Sequence, residues 1–215
     1  MEIESQMKSP SSALDRYNIE VLASEETLAS VYLENPGNRI LLGNLTVEEN
    51  RELDVDIIVS LFSQDEKVVE KCQVYQGRLN RIAERLFLKE KYKKSQFNLR
   101  IDIVENKQDN GYFPDLVNCM ITTLLVSGLE LRYIVTGSVC LLNKQNKIIK
   151  DEESCDKEGI VRVELCHRIG SEESVYFSSK GEIPKNTLPM VLDYLTQKCT
   201  ALSHSLLNFL SKPSN

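Results

Sequence analysis

The chain of 215 residues lacks several features that would place it in a function class at once. It contains no Cys-x-x-Cys pair, and its only two histidines, His167 and His204, are far apart in the sequence. Because a structural zinc site needs closely spaced Cys or His ligands, we expect no metal site and no cofactor. Cys166 and His167 are adjacent, but neighbouring side chains of a strand point to opposite faces, so we do not expect a Cys–His nucleophile.

Long apolar runs and a secretion signal are also absent. No apolar run is long enough to cross a bilayer, and the first twelve residues are polar and partly acidic, unlike a signal peptide. An apolar content of 41% and a charged content of 27% are typical of a globular protein. We therefore expect an intracellular protein without membrane contact, whose cysteines are reduced and mostly buried. The six cysteines are Cys72, Cys119, Cys140, Cys155, Cys166 and Cys199.

The charge of the chain is divided unevenly. The net charge of −6 does not indicate a nucleic-acid-binding protein as a whole. However, residues 44–70 carry eight acids and two bases, whereas residues 78–100 carry eight bases and two acids. A local basic surface can bind phosphates on an acidic protein, although a solvated helix face followed by a basic loop explains the same counts. The candidate basic residues are Arg78, Arg81, Arg85, Lys89, Lys91, Lys93 and Lys94.

Hydrophobic periodicity predicts a mixed α+β fold. Residues 17–23, 27–34 and 36–47 are separated by turn residues and predict an antiparallel meander, and residues 53–61 predict a fourth strand. A helix follows, with Asp65 as its candidate N-cap and an internal glycine, Gly77, that suggests close packing at that point. Its apolar positions are spaced by three and four residues and predict one buried stripe. These positions are Val68, Cys72, Tyr75, Leu79, Ile82 and Leu86.

The second half of the chain continues the alternation of strands and helices. Residues 96–105 alternate as a half-buried strand, and residues 116–126 are almost wholly apolar, which predicts a core helix that stops near Gly128. Strands follow, and the chain closes with an amphipathic helix for which Thr187 is a candidate cap and Pro189 suits the first turn. We thus predict an N-terminal tail over residues 1–15 and a single domain over residues 16–212, with mixed sheets, two central helices and a C-terminal amphipathic helix.

Four stretches in this order resemble the RNase PH family, and within it the non-catalytic ring subunits of the eukaryotic RNA exosome core. Residues 30–43 (SVYLENPGNRILLG) resemble its second and third strands, and residues 84–105 resemble its helix, basic turn and alternating strand, with Lys93 in place of the usual proline. Residues 109–131 (DNGYFPDLVNCMITTLLVSGLEL) resemble its phosphate-binding turn and buried helix. The acidic loop at 151–158 and the strand after it resemble the segment with its last catalytic acid. The resemblance implies an RNase PH-like fold over residues 17–210.

The resemblance also implies where a catalytic site would lie and that it has degenerated. Active members hold inorganic phosphate with a glycine turn, a hydroxyl and an arginine at the start of the buried helix. Here Asp109 and Gly111 are retained, but Tyr112 and Phe113 stand at the two key positions, and a phenyl ring offers no charge to a dianion. The catalytic acid is displaced as well, with Glu158 or Asp156 as the remaining candidates.

We therefore expect a structural subunit and not an enzyme. The resemblance implies a six-membered ring around a channel for single-stranded RNA, with partners that include other RNase PH-like subunits, cap subunits with oligonucleotide-binding folds and an associated hydrolytic ribonuclease. It also implies a nuclear, nucleolar and cytoplasmic location and a role in RNA degradation and rRNA processing. Two alternatives stay open, an active phosphate-dependent 3′–5′ exoribonuclease and an unrelated α+β scaffold without an RNA role.

Overall fold

The computed structural model describes residues 17–35, 39–49, 56–63, 66–92, 95–106, 113–149 and 159–211. In these ranges it contains nine strands, three α-helices and a short 3-10 helix at Lys89–Lys91. The strands are β1 Asn18–Leu22, β2 Ala29–Glu34, β3 Arg39–Glu49, β4 Asp56–Ser63, β5 Ser95–Asn106, β6 Val135–Leu142, β7 Ile148–Ile149, β8 Val161–Arg168 and β9 Ser174–Lys180. The helices are α1 Glu66–Leu86, α2 Phe113–Val126 and α3 Leu188–Leu210.

The first sheet has five strands in the order β1-β2-β3-β5-β4. The predicted antiparallel meander is confirmed for β1, β2 and β3. The fourth strand does not extend it, because β5 lies between β3 and β4 and pairs antiparallel with the former and parallel with the latter. The chain must cross over from β4 to a parallel β5, and α1 is that crossover connection. Because successive side chains of a strand point to opposite faces, every second residue faces the core, and Leu41, Val59 and Ile101 are buried there.

The second sheet has four strands in the order β7-β6-β8-β9, all antiparallel. The buried helix α2 lies between the two sheets, in contact with β2, β3 and β5 on one side and with β6 and β8 on the other. The terminal helix α3 packs on the opposite face of β6 and β8. The hydroxyls of Thr136 and Ser138 on this face donate to the carbonyl oxygens of Cys199 and Leu195 of α3. The fold is therefore a layered α+β arrangement, as predicted.

Two predictions about helix packing are confirmed. The stripe on α1 faces the core, since Cys72, Leu79, Ile82 and Leu86 are buried and Tyr75 packs against them; the side chain of Val68 and the candidate cap Asp65 lie outside the described part. Helix α2 buries every residue from Phe113 to Leu124. Gly128 follows its last turn with φ +76°, the left-handed conformation that favours glycine at a helix end.

One other local prediction is wrong, and one is confirmed only in part. Apart from its chain neighbours and the backbone of its own helix, no described residue has a heavy atom within 4 Å of the position that a Cβ would take at Gly77, so no other described element packs closely there. Close approaches to helix α2 occur instead at Gly43 and Gly137, where a Cβ would meet Thr123 Oγ1 at 2.3 Å and the Pro114 backbone at 2.6 Å. The predicted start of α3 is confirmed, since Thr187 is at the N-cap position and Pro189 lies in the first turn, but the Thr187 side chain makes no capping hydrogen bond.

Candidate functional site

The N-terminal end of α2, where the sequence predicts a degenerate phosphate site, is fixed to the second sheet by one asparagine. The Asn118 side chain donates from Nδ2 to the Gly137 carbonyl oxygen at 3.0 Å and accepts from the Gly137 backbone N–H at 2.7 Å. Gly137 has no side chain, so β6 can approach Pro114 closely. The first turns of α2 therefore have a fixed position relative to β6 and its neighbour β8.

Phe113, the first residue of α2, fills the end of the helix with an aromatic ring. It has no solvent exposure, and its ring centroid lies 5.3 Å from that of Tyr75 on α1 and 4.4 Å from that of Tyr176 on β9. These distances are typical of favourable aromatic pairs. The side chain at this position thus joins α1, α2 and the second sheet and presents no charged or polar atom.

Asp115 places a carboxylate in the first turn of the same helix. Its side chain is buried, and it accepts hydrogen bonds from Tyr17 Oη at 2.9 Å and from Asn35 Nδ2 at 2.7 Å. A carboxylate at this position complements the partial positive charge of the helix N-terminus. The partial positive charge that attracts anions to helix N-termini is therefore already compensated by Asp115.

A buried ion pair on β8 faces the same region. Arg162 Nε donates to Glu164 Oε1 at 3.0 Å, and the two side chains are 9% and 7% exposed. The Tyr176 hydroxyl donates to Glu164 Oε2 at 3.3 Å and accepts from Arg78 Nη1 at 3.4 Å. Burial, and next the carboxylate of Glu164, raise the pKa of Tyr176 to about 12, so its hydroxyl stays protonated at neutral pH.

Sequence reasoning did not identify this ion pair. The signal was present, because the alternation V-R-V-E-L in residues 161–165 places Arg162 and Glu164 on one face of a strand. That the face is buried depends on α2, a contact distant in sequence. Of the predicted degenerate-site residues, the structure describes Phe113, whereas Asp109, Gly111, Tyr112 and Glu158 lie outside the described residues, as does Asp156.

Three of the candidate basic residues lie on the surface of α1 and form a basic stripe. Arg78, Arg81 and Arg85 are all exposed, and the guanidinium of Arg78 lies 5.4 Å from the centroid of the Tyr176 ring. Lys89 begins the 3-10 helix after α1, and exposed Lys91 forms an ion pair with Glu130. Lys93 and Lys94 lie outside the described part. The basic stripe thus starts beside the rings of Tyr75, Phe113 and Tyr176 at the N-terminal end of α2 and continues along the exposed side of α1.

The cysteines of the described segments are buried and free: Cys72, Cys119, Cys140, Cys166 and Cys199. Burial raises the pKa of the Cys119 thiol to about 12 and that of Cys140 to about 11, so both are thiols at neutral pH. Cys166 pairs with Gly137 on the α2 face of β6, whereas His167 pairs with Thr136 on the α3 face. The two side chains therefore point apart, as predicted.

His167 is buried, and burial lowers its pKa. Among the described residues, no three His, Cys, Asp or Glu side chains are grouped so that they could hold a metal ion. A membrane span is not found either, since no helix within the described ranges is both long enough and apolar enough.

Comparison with known proteins identifies the fold through structure and not through sequence. No family model and no curated protein matches the chain. Among solved structures, rice (Oryza sativa) Rrp46 is similar with a TM-score of 0.76 and 12% sequence identity, over 91% of this chain and 94% of that one. An archaeal exosome core structure is similar with a TM-score of 0.64 and 15% identity, over 89% of this chain and 86% of that one. The chain therefore has the RNase PH-like fold of exosome subunits, as the motifs of its sequence predicted.

Proposed function

We propose that the protein is a catalytically inactive, structural ring subunit of an RNA exosome core. The similarity to rice Rrp46 and to an archaeal exosome core supports the ring role, because it extends over about nine tenths of the chain. In such an assembly the subunit contributes ring interfaces and part of the wall of an RNA channel. Its partners are other RNase PH-like subunits, cap subunits with oligonucleotide-binding folds and an associated hydrolytic ribonuclease. Its location is nuclear, nucleolar and cytoplasmic.

The proposed inactivity rests on one observation: the N-terminal end of α2 is occupied by an aromatic and an acidic side chain. Phosphorolysis needs a cationic or hydrogen-bond-donating cradle for a dianion. Phe113 instead packs between Tyr75 and Tyr176, and the buried carboxylate of Asp115 already complements the helix N-terminus. Arg162 is held by Glu164, so the guanidinium on this face of β8 already has an anionic partner.

The test of inactivity is an assay for phosphate-dependent RNA degradation. The purified chain, alone and in its native complex, is incubated with single-stranded RNA in the presence and absence of inorganic phosphate. We expect no nucleoside diphosphate from this subunit, and a variant of the complex with Phe113→Ala should release no more than the parent. Phosphate-dependent product from the isolated chain would establish the alternative, an active exoribonuclease.

The exposed arginines of α1 are proposed to contact RNA through its phosphates. Arg78, Arg81 and Arg85 project from one helix surface, and such contacts guide a strand without reading its sequence. A triple Arg→Glu variant at these positions should weaken RNA protection by the assembled ring. The matched control reverses three exposed lysines elsewhere, Lys144, Lys147 and Lys185, with the same change in net charge. Equal protection by the two variants would show that the stripe is only a solvated helix face.

The ring role itself is tested by isolating the native complex and identifying its members. Co-purification with other RNase PH-like subunits and with cap subunits supports the proposal. Isolation without any of them would favour the second alternative, an α+β scaffold outside the exosome.

A further inference from the structure

The two edges of the five-stranded sheet differ in how their backbone groups are satisfied. At the β4 edge, side-chain amides of α1 take the place of a neighbouring strand. The Val59 N–H donates to Asn80 Oδ1 at 2.7 Å, Asn80 Nδ2 donates to the Val59 carbonyl at 3.0 Å, and the Leu61 N–H donates to Gln76 Oε1 at 3.2 Å. This edge is therefore closed to a further strand.

The opposite edge, β1, is open as far as the described residues show. All five residues of β1 pair with β2, and no other described strand lies beside it. It has an exposed apolar side chain on each face of the sheet, with Val21 51% and Leu22 39% exposed, while Ile19 is half-buried and Leu28 in the adjoining loop is 48% exposed. An exposed strand edge with apolar side chains is a template for pairing with another polypeptide.

The charge around β1 specifies the chemistry of that polypeptide. Residues 17–35 contain the acids Glu20, Glu25, Glu26 and Glu34 and no lysine or arginine. Glu20 is exposed at the centre of β1. If two copies of the chain paired antiparallel through the centres of β1, Glu20 would lie opposite Glu20, and like charges directly opposite are destabilising. The edge thus disfavours self-association and favours a basic partner.

We propose that β1 accepts, as a sixth strand of the sheet, an extended segment of a partner protein in which apolar residues alternate with lysine or arginine. Backbone hydrogen bonds along β1 give the affinity, the apolar residues cover Ile19 and Val21, which share one face of the strand, and a basic residue faces Glu20 on the other. If the protein is a ring subunit, the partner is a neighbouring protein of that assembly, and in this respect the inference rests on the proposed function.

The first experiment places a photo-reactive benzoylphenylalanine at Val21 in the full chain, within its native assembly. The control carries the same group at Leu207, a residue of α3 with a similar exposure of 43%. We expect cross-linking from position 21 to a segment of another protein with alternating apolar and basic residues, and a Glu20→Lys change should lower the yield about tenfold. An intact assembly in which position 21 links only to this chain, to a second copy or to an acidic segment would overturn the inference and leave the ring role standing.

A second experiment does not depend on any assembly. The full chain is titrated with the blocked hexapeptide Val-Lys-Val-Lys-Val-Lys, with Val-Glu-Val-Glu-Val-Glu as the control, while backbone amide shifts are followed by NMR. The lysine peptide should shift the amides of Asn18–Leu22, and the glutamate peptide should not. Equal shifts with both peptides, or no shifts in β1 with either, would refute strand addition even if the protein proves to be a ring subunit.

Discussion

The N-terminal end of α2 and the outer side of α1 meet at Tyr176, yet their charges have different environments. At the α2 end, the carboxylates of Asp115 and Glu164 are buried and hydrogen-bonded to other side chains. On α1, the guanidinium groups of Arg81 and Arg85 are exposed to solvent. The first arrangement uses charge to fix the positions of elements, and the second leaves charge accessible to a ligand. A comparison of substitutions in the two regions can therefore separate structural from binding roles.

The largest effect is expected from breaking the buried ion pair. Arg162→Met leaves Glu164 buried without its cationic partner, which should lower the free energy of unfolding by about 3–5 kcal/mol. The double variant Arg162→Met/Glu164→Leu removes both charges and should recover most of that loss, since well-packed apolar residues can replace a buried pair. Urea denaturation of the two variants measures the difference. A double variant no more stable than Arg162→Met would show that the pair is not the cause.

Two glycine substitutions compare the same regions through packing. A Cβ at Gly137 would lie 2.6 Å from the Pro114 backbone, so Gly137→Ala should force β6 away from α2 and cost about 3 kcal/mol. Gly77→Ala on α1 meets nothing and should stabilise by about 1 kcal/mol through its higher helix propensity. Thermal and urea unfolding of both variants test this contrast, which fails if the two changes have the same sign.

The buried core should also make stability sensitive to alkaline pH. Burial raises the pKa of Cys119 from 9.0 to about 12. The protonated, buried thiol therefore adds its full share to the free energy of unfolding below about pH 9, and this share is lost as the pH rises towards 12 because the unfolded chain loses the proton first. Each pH unit in that window costs about 1.4 kcal/mol, or about 2 kcal/mol by pH 10.5. Cys119→Ala should be less stable than the parent at pH 7.5 but should lose less stability on going to pH 10.5. Parallel losses in the two proteins would argue against this thiol as the cause.

The elements of the fold could be predicted from local patterns, but their neighbours in space could not. A spacing of three to four residues located α1 and α3, and alternation with a period of two located the strands of the first sheet, because each of these patterns reflects one buried face. An unbroken apolar run located α2, which is buried on all sides. Nothing local shows that β5 lies between β3 and β4, since this order depends on the crossover through α1. The same holds for Gly77 and Gly137. Both are glycines inside regular elements, but only the packing of α2 against β6 distinguishes the crowded position from the open one.

The sequence predicted where the candidate site lies and that Phe113 is part of it, but not which side chains surround Phe113 and Asp115. The motif around residues 109–119 predicted a degenerate phosphate site at the start of α2, and α2 does begin in this motif, at Phe113. The side chains that contact Phe113 and Asp115 at this helix end come from distant parts of the chain: Tyr17, Asn35, Tyr75 and Tyr176. Tyr17 and Asn35 have no sequence signature of their own, because a tyrosine just before a strand and an asparagine just after one are ordinary surface composition. Their role follows only from their contact with the helix end.

The smallest effect on stability, and the most direct test of the difference between the two regions, is expected from Arg81→Ala. Arg81 is exposed, so its removal should change the free energy of unfolding by less than about 0.5 kcal/mol. If Arg81 contacts an RNA phosphate, the slope of log affinity against log salt concentration should fall by about 0.7 for single-stranded RNA. Fluorescence anisotropy of a labelled oligouridine bound to the assembled ring, at several salt concentrations, measures this slope, with Lys147→Ala as the control. Identical slopes for the two variants would mean that the exposed charge of α1 interacts only with solvent. The charged side chains of α1 and of the α2 end would then differ in burial and not in a binding role.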